Sequence, residues 1–452
     1  MISSFKAGAA KVNITPPLGT LINGDFVSHY ARLIHDDLFA KALVLQNGEV
    51  STAIIIVDIC LMDKTFTDSA KASITQKTGI PANNILISAT HTHAAGSVMS
   101  VLLGAADLPY RQSLEVLIVQ AAVDAYQKLR PAKIGFGSLN APEHVLCRRY
   151  YMKDGFDKPN IISNKQDQVK TNPIGAEHFI ERPAGVPDPG LNYLAVQAAD
   201  GKWISLLANY SLHYVGDWEN GTISSDYFGV FASHLQKKLN ADADFIGMMS
   251  NGTSGDINIW DFQNPDRYPK GHFEKSELIG TDLADKVAGS LDGIRWDANP
   301  ELAVNYDELA IPVRKPSQTE LEAAKQLVKQ TDYSKFSITD DGALEKLYAR
   351  EQILLNEYPD TINMPLQILK IGDSLIGAMA GEFFAETGLK LKSDSPVSNY
   401  FTITMANGIF GYVPPAHEIE KGGYESWRCR NSFLENDAEK NIRNKMLTLM
   451  KF

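Results

Sequence analysis

The sequence predicts an α/β protein of mixed β-sheets flanked by helices. Apolar runs of strand length alternate with stretches of helical periodicity along the chain. The run "LFAKALVLQNGEVSTAIIIVDI" holds two apolar strands around Asn47-Gly48, a dipeptide suited to a tight hairpin turn. Ser317-Gln-Thr-Glu320 is a capping box that opens a helix, because its two side chains satisfy each other's free backbone N–H groups.

The elements follow in order. A helix is expected over 63–78, a strand at "NILISAT" (84–90), a helix near 110–129 and a strand at "KIGFGSL". Segment 153–191 is polar and rich in Pro, Gly and Asn, and is expected as a long loop acting as a lid. Strands return at 193–199 and 203–209, and a helix over 227–240 leads to the apolar run "DFIGMMSNG". Helices over 317–331 and 342–357 precede the hairpin "MPLQILKIGDSLIGAMAGE", turned at Gly372-Asp373. An amphipathic helix from about Ser432 closes the chain. With no repeat and no clear linker, residues 1–452 are expected to form one domain.

Composition narrows the function classes. The 452 residues are 44% hydrophobic and 21% charged, enough apolar material for a large core. A net charge of −11 argues against nucleic-acid partners, which demand a basic footprint. Three cysteines, with no CxxC pair, give neither a disulfide framework nor a thiolate metal site. No apolar run reaches the roughly 20 residues of a membrane span. The opening "MISSFKAGAA" lacks the apolar stretch of a leader. The protein is cytoplasmic on that reading, and secreted or periplasmic if a leader has been removed. Oligomeric state is not encoded in the composition.

The chemistry-bearing residues sit where apolar runs end. In "ISATHTHAAG", His91 and His93 are two apart, so they share a face if the strand stays extended. Imidazole is a common ligand of zinc and similar cations, but hydrogen-bonded polar residues end strands in the same way. His213 ends "WISLLANYSLH" and Glu382 ends "IGAMAGE", each open to a structural or a ligating reading. "SNGTSGDINIW" permits a tight turn, and it is not a nucleophile elbow because Ser254 directly precedes Gly255. Asp36, Asp37, Asp58 and Asp226 read first as solvated or capping carboxylates. Asp226 has the best claim to orient His213. Trp218, Trp260 and Trp427 sit near these motifs as packing or lining residues.

Taken together, "AGAAKVNITPPLG", "HDDLFAKALVL", "SATHTHAAG", "SLHYVG…ISSDYFG", "NGTSGDIN", "GEFFAETGLKLK" and "GYVPP…GGYE" resemble the catalytic domain of the neutral/alkaline (non-lysosomal) ceramidase family. They occur in the family's order over almost the whole chain. The resemblance implies a ceramidase-like catalytic fold in a bacterial-type homologue. It implies one zinc ion per chain, held by His91, His213, Glu382 and Tyr412. It implies substrate contacts at His93, Tyr424 and Arg148. Asn258 stands where the family carries a serine; it cannot act as a nucleophile, but its amide can donate to an oxyanion. The family's C-terminal immunoglobulin-like domain is expected to be absent.

These features imply a zinc-dependent hydrolase in which activated water attacks an amide (N-acyl) bond of a small molecule, of the N-acyl lipid class and in lipid metabolism. His93 is the candidate acid/base. Tyr424, Arg148 and Asn258 are candidate oxyanion donors. A carbohydrate, ester or lactone substrate is the alternative, as is a non-catalytic binding protein on the same scaffold, a reading prompted by the missing serine.

Overall fold

The structure, a computed structural model, describes residues 5–163 and 165–452. Residues 1–4 of the opening stretch and Asn164 of segment 153–191 lie outside the described residues.

The strands assemble because their side chains alternate between two apolar faces. Phe39–Asn47 and Val50–Val57 pair antiparallel around the predicted turn, with Asn47 opposite Val50. Ala42, Val44, Ala53, Ile55 and Val57 point to one side, and Leu43, Leu45, Ile54 and Ile56 to the other. Burial on both faces explains the unbroken apolar run "AIIIV". Each Val, Leu or Ile among them contributes about 1.5–3 kcal/mol on leaving water. Among the described residues these strands belong to a nine-stranded mixed sheet that runs in space from Ile246–Asn251 to Ile85–Ala89.

A second sheet of four strands comprises Leu302–Pro312, Thr361–Ile371, Ser374–Met379 and Asn399–Ile403. Its Leu369, Ile376, Phe401 and Ile403 pack against Leu43, Ile54, Leu194 and Met248 of the first sheet. Helices Lys64–Thr78 and Leu108–Gln127 cover one end of the first sheet's outer face. Asp226–Lys238 and Glu274–Ser290 cover the other end. Ala438–Leu449 packs Ile442 and Met446 onto the second sheet. The layers are therefore helix, sheet, sheet, helix, which is the predicted class.

The capping box at Ser317 and Glu320 is present and opens Gln318–Lys329. Three expectations need correction. Segment 153–191 is not a plain loop: Val169–Thr171 and Ile180–Pro183 pair on either side of Arg149–Met152. Proline and glycine density masked strands only three to four residues long. The last helix starts at Ala438 rather than near Ser432, because Ser432 pairs with Gly411 and Cys429 in backbone bridges. Asp58, read as solvated, is fully buried against Lys41 at 2.7 Å and accepts the Phe39 N–H. No helix among the described residues is long and apolar enough to cross a membrane.

Three parallel strand pairs fix where the chemistry lies. Val50–Val57 pairs with Ile85–Ala89, Trp203–Tyr210 with Ile246–Asn251, and Ser374–Met379 with Asn399–Ile403. His91, His213 and Glu382 each follow the carboxyl end of one of these strands by two to three residues. In open α/β sheets ligands gather at such strand ends, where side chains leave the sheet together.

Candidate active site

His91 does not reach the site by strand periodicity. The strand ends at Ala89, and His91 has φ 73°. A left-handed conformation costs a residue with a Cβ about 1–2 kcal/mol, and such strain collects at functional positions. The bend still delivers both imidazoles to one place, for His93 Nε2 lies 3.2 Å from His91 Nε2. Gly24 (φ 116°) lets the chain pass beside His93; a Cβ there would stand 2.5 Å from the ring. Tyr214 stacks on the His93 ring, with centroids 3.6 Å apart.

The ring orientations are set from behind. The Nδ1 of His91 faces the Cys60 carbonyl at 3.0 Å, and the Nδ1 of His213 faces the Ser254 carbonyl at 3.1 Å. A carbonyl only accepts, so both Nδ1 atoms carry the proton. Each neutral ring then turns an unprotonated Nε2 inward, and the two Nε2 atoms are 3.2 Å apart. Glu382 Oε2 lies 3.4 Å from His91 Nε2 and 3.9 Å from His213 Nε2, buried and without a hydrogen-bond partner. Two lone pairs facing each other beside an orphaned carboxylate oxygen are unfavourable unless a cation lies among them. These residues therefore fit a divalent metal, and the imidazole–carbonyl bonds behind them are the usual outer support of such ligands.

In the absence of a metal ion the positive charge this cluster needs falls on His91 itself. Burial opposes charge on His91, but neighbouring Cys60 and Glu382 raise its pKa well above the ordinary imidazole range. Burial and the neighbouring His91 lower His93 and His213 well below it, which keeps them in the neutral, ligating form. Tyr412 sits beside Glu382 in a short parallel pair. Burial and Glu382 push its phenol well up, while Arg148 opposes the shift. Cys60 forms an overlapping set with His91 and His93. Its thiol, however, approaches the Nδ1 edge of His91 at 3.8 Å, where the backbone carbonyl already accepts the proton.

These side chains line one cleft of about 520 Å3. His91, His93, His213, Glu382, Tyr412, Tyr424 and Arg148 all border it, as do Trp218, Trp260 and Trp427. Arg148 donates to Glu425 (2.8 Å) and to the Gly255 carbonyl (2.7 Å), and its guanidinium lies 5.4 Å from the Tyr412 ring centre. Tyr424 meets Tyr412 edge-on at 5.6 Å between centroids.

Asn258, expected as an oxyanion donor, is not among the lining side chains. Its Oδ1 accepts the Trp260 N–H at 3.1 Å, and its Nδ2 donates to Asn172 Oδ1 at 2.6 Å. Asn172 is the residue that borders the cleft. Asp226 does not touch His213 either; it accepts the Val215 N–H at 2.8 Å and so fixes the backbone that follows His213.

Sequence reasoning missed Cys60, Asp25, Asn172, Tyr214 and Glu425. Glu425 and Tyr214 had a signal, their places beside Tyr424 in "GGYE" and beside His213 in "SLHYVG". The others act through long-range contacts that local patterns do not encode.

No protein-family model matches the chain, and no curated protein matches it. Solved structures do. Neutral ceramidase from Pseudomonas aeruginosa superposes with a TM-score of 0.73 at 16% identity, over 99% of this chain and 74% of that one. A ceramidase complexed with C2 gives 0.72 at 15% identity, over 99% and 75%. The layered sheets and the cleft at their strand ends thus stand on the neutral ceramidase fold, which runs through almost the whole of this chain.

Proposed function

We propose that this protein is a metal-dependent hydrolase that cleaves an amide (N-acyl) bond of a small molecule, with one zinc ion per chain. The observation that carries it is the convergence of His91 Nε2, His213 Nε2 and the unpartnered Glu382 Oε2 at one buried point in a large cleft. The fold shared with proteins named as ceramidases supports the amide as the bond cleaved.

His91, His213 and Glu382 hold the cation, and Tyr412 is the fourth ligand. When bound, a zinc-class ion supplies Lewis acidity and makes hydroxide available near neutral pH. His93 moves the proton: it stands beside the ligands, its ring is clamped by Gly24 and Tyr214, and burial keeps it in the neutral form. Arg148 and Tyr424 face the same space and donate to the oxygen that gains charge; one such donor in a dry site is worth about 3 kcal/mol. Residues 1–452 act as one catalytic domain, with segment 153–191 as a cover. Asp167 supports this role: it accepts the Gly423 N–H (2.9 Å) and the Trp427 Nε1–H (2.8 Å), tying the segment to the Tyr424 turn.

The test combines elemental analysis of protein purified without chelators with hydrolysis of a panel of N-acyl amides, esters and glycosides. One zinc per chain and amide turnover that chelator abolishes and zinc restores are the expected results. Turnover that persists without metal, or activity confined to glycosides, overturns the proposal.

A further inference from the structure

We propose that Asn172 is a substrate-binding residue that donates an N–H to an acceptor oxygen on the amine half of the substrate, its polarity set from behind by Asn258. This rests on the amidase reading above.

The polarity follows by elimination. The Trp260 N–H is a backbone donor, and it meets Asn258 Oδ1 at 3.1 Å. Asn258 must therefore turn its Nδ2 toward Asn172, 2.6 Å away. That atom only donates, so Asn172 presents its Oδ1 there. Asn172 also donates its backbone N–H to the Arg148 carbonyl (2.8 Å) and accepts the Ile174 N–H on its own carbonyl (2.7 Å). Every polar group of Asn172 but one is thus engaged within the protein. The remaining Nδ2 belongs to a half-buried side chain on the cleft wall, at a residue held at φ 45°. Asparagine tolerates that left-handed backbone better than most residues. A strained backbone and a fixed amide orientation together describe a donor aimed in advance.

Other polar groups line the same cleft. Asp25 and His29 pair at 2.7 Å, with Asn220 Nδ2 3.2 Å from His29 Nε2, and both pair members line the same cleft as Asn172 and Lys170. Glu382, Leu61 and Asn431 border this cleft and also a second cavity of about 310 Å3. Its walls include Met99, Ile362 and Phe410, with Asp63, Lys64 and Arg430 also on its lining. An apolar acyl half belongs on that side of Glu382, and an oxygen-bearing amine half on the side of Asn172.

The probes are N-octanoyl-2-methoxyethylamine and N-octanoylbutylamine. They have the same shape, and the ether oxygen of the first only accepts. The wild-type protein is expected to favour the ether by roughly tenfold to hundredfold in kcat/KM, mostly through KM, since a donor left unpaired against an alkyl chain is penalised. Asn172→Asp replaces the donor with a carboxylate oxygen and should erase or reverse the preference. Asn258→Asp is the sharper variant: it demands a donor from Asn172, turns that amide over and should abolish the preference with Asn172 unchanged. A preference equal in all three proteins overturns the proposal. So does an equal loss of kcat with both probes at an unchanged ratio. Calorimetric binding of the two probes to chelator-stripped protein reads the same contact without turnover. If the wild type hydrolyses neither probe, the amidase reading fails, while the binding ratio still decides the role of Asn172.

Discussion

His91 and His213 face each other through their Nε2 atoms at 3.2 Å, each with its Nδ1 proton given to a backbone carbonyl. Neither ring has a proton to offer the other in its neutral form, so the pair is stable only around a positive charge. Zinc is therefore expected to stabilise the protein by about 4 kcal/mol at a free concentration a thousandfold above Kd. His213→Ala, which removes one Nε2, should abolish most of that gain in thermal melts with and without zinc. Glu382→Gln should weaken metal affinity as well. Full zinc occupancy in Glu382→Gln with activity lost would instead make that residue the base.

Gly24 and His93 give a way to disturb the chemistry without touching the ligands. A Cβ at Gly24 would stand 2.5 Å from His93 Cγ, and φ 116° disfavours any side chain. Gly24→Ala is expected to displace the imidazole and lower kcat by tenfold or more, with zinc stoichiometry unchanged. Comparing metal content with turnover checks this, and unaltered kcat would remove His93 from the proton transfer.

The parts of this molecule legible in its sequence are those dictated by local pattern. The hairpin at Asn47-Gly48, the capping box at Ser317 and the hairpin of the second sheet follow from period and turn chemistry, whereas that sheet's outer strands, Leu302–Pro312 and Asn399–Ile403, carry no such local signature. His91, His213 and Glu382 were noticed as polar residues ending apolar strands, but only the family resemblance joined them. Nothing local says that positions 122 apart, such as His91 and His213, will meet. The convergence of His91 and His93 came from a left-handed bend that no alternation rule contains. The polarity of the Asn258–Asn172 pair depends on one backbone N–H, at Trp260, visible only once the chain is folded.

Glu425 is enclosed by Arg148 (2.8 Å), Arg149 (2.7 Å) and the Thr171 hydroxyl (2.7 Å), and is fully buried. Removing its charge leaves two buried guanidinium groups short of a partner, a loss of about 3–5 kcal/mol. Glu425→Gln should lower stability by that order and also reduce kcat/KM, since Arg148 loses its anchor. The pH dependence has a definite sign. Burial raises the carboxyl pKa, but Arg148 and Arg149 outweigh it, so the folded value lies below the ordinary 4.5. The stabilisation is present above 4.5 and fades as pH falls toward the folded value. Acid titration of unfolding should show a shallower slope below that point for the variant than for the wild type.

Lys71 provides a test far from the cleft. It is buried on helix Lys64–Thr78, its ammonium 5.6 Å from the Tyr306 ring centre, and burial lowers its pKa from 10.5 to about 8. The charged form is thus disfavoured in the folded protein. Below pH 8 the group is protonated in both states and carries its full penalty, roughly 3 kcal/mol from the shift. Between about 8 and 10.5 the folded state has released a proton that the unfolded chain retains, so stability rises with pH. Lys71→Met keeps the stem and removes the charge. It should raise stability at pH 7 by about 1–3 kcal/mol, after allowing for the lost cation–π contact. Above pH 10.5 the difference should shrink toward zero. Denaturant melts of both proteins at pH 7 and pH 10 measure it, and a destabilised variant at pH 7 would mean that the ammonium is held by attraction rather than trapped by packing.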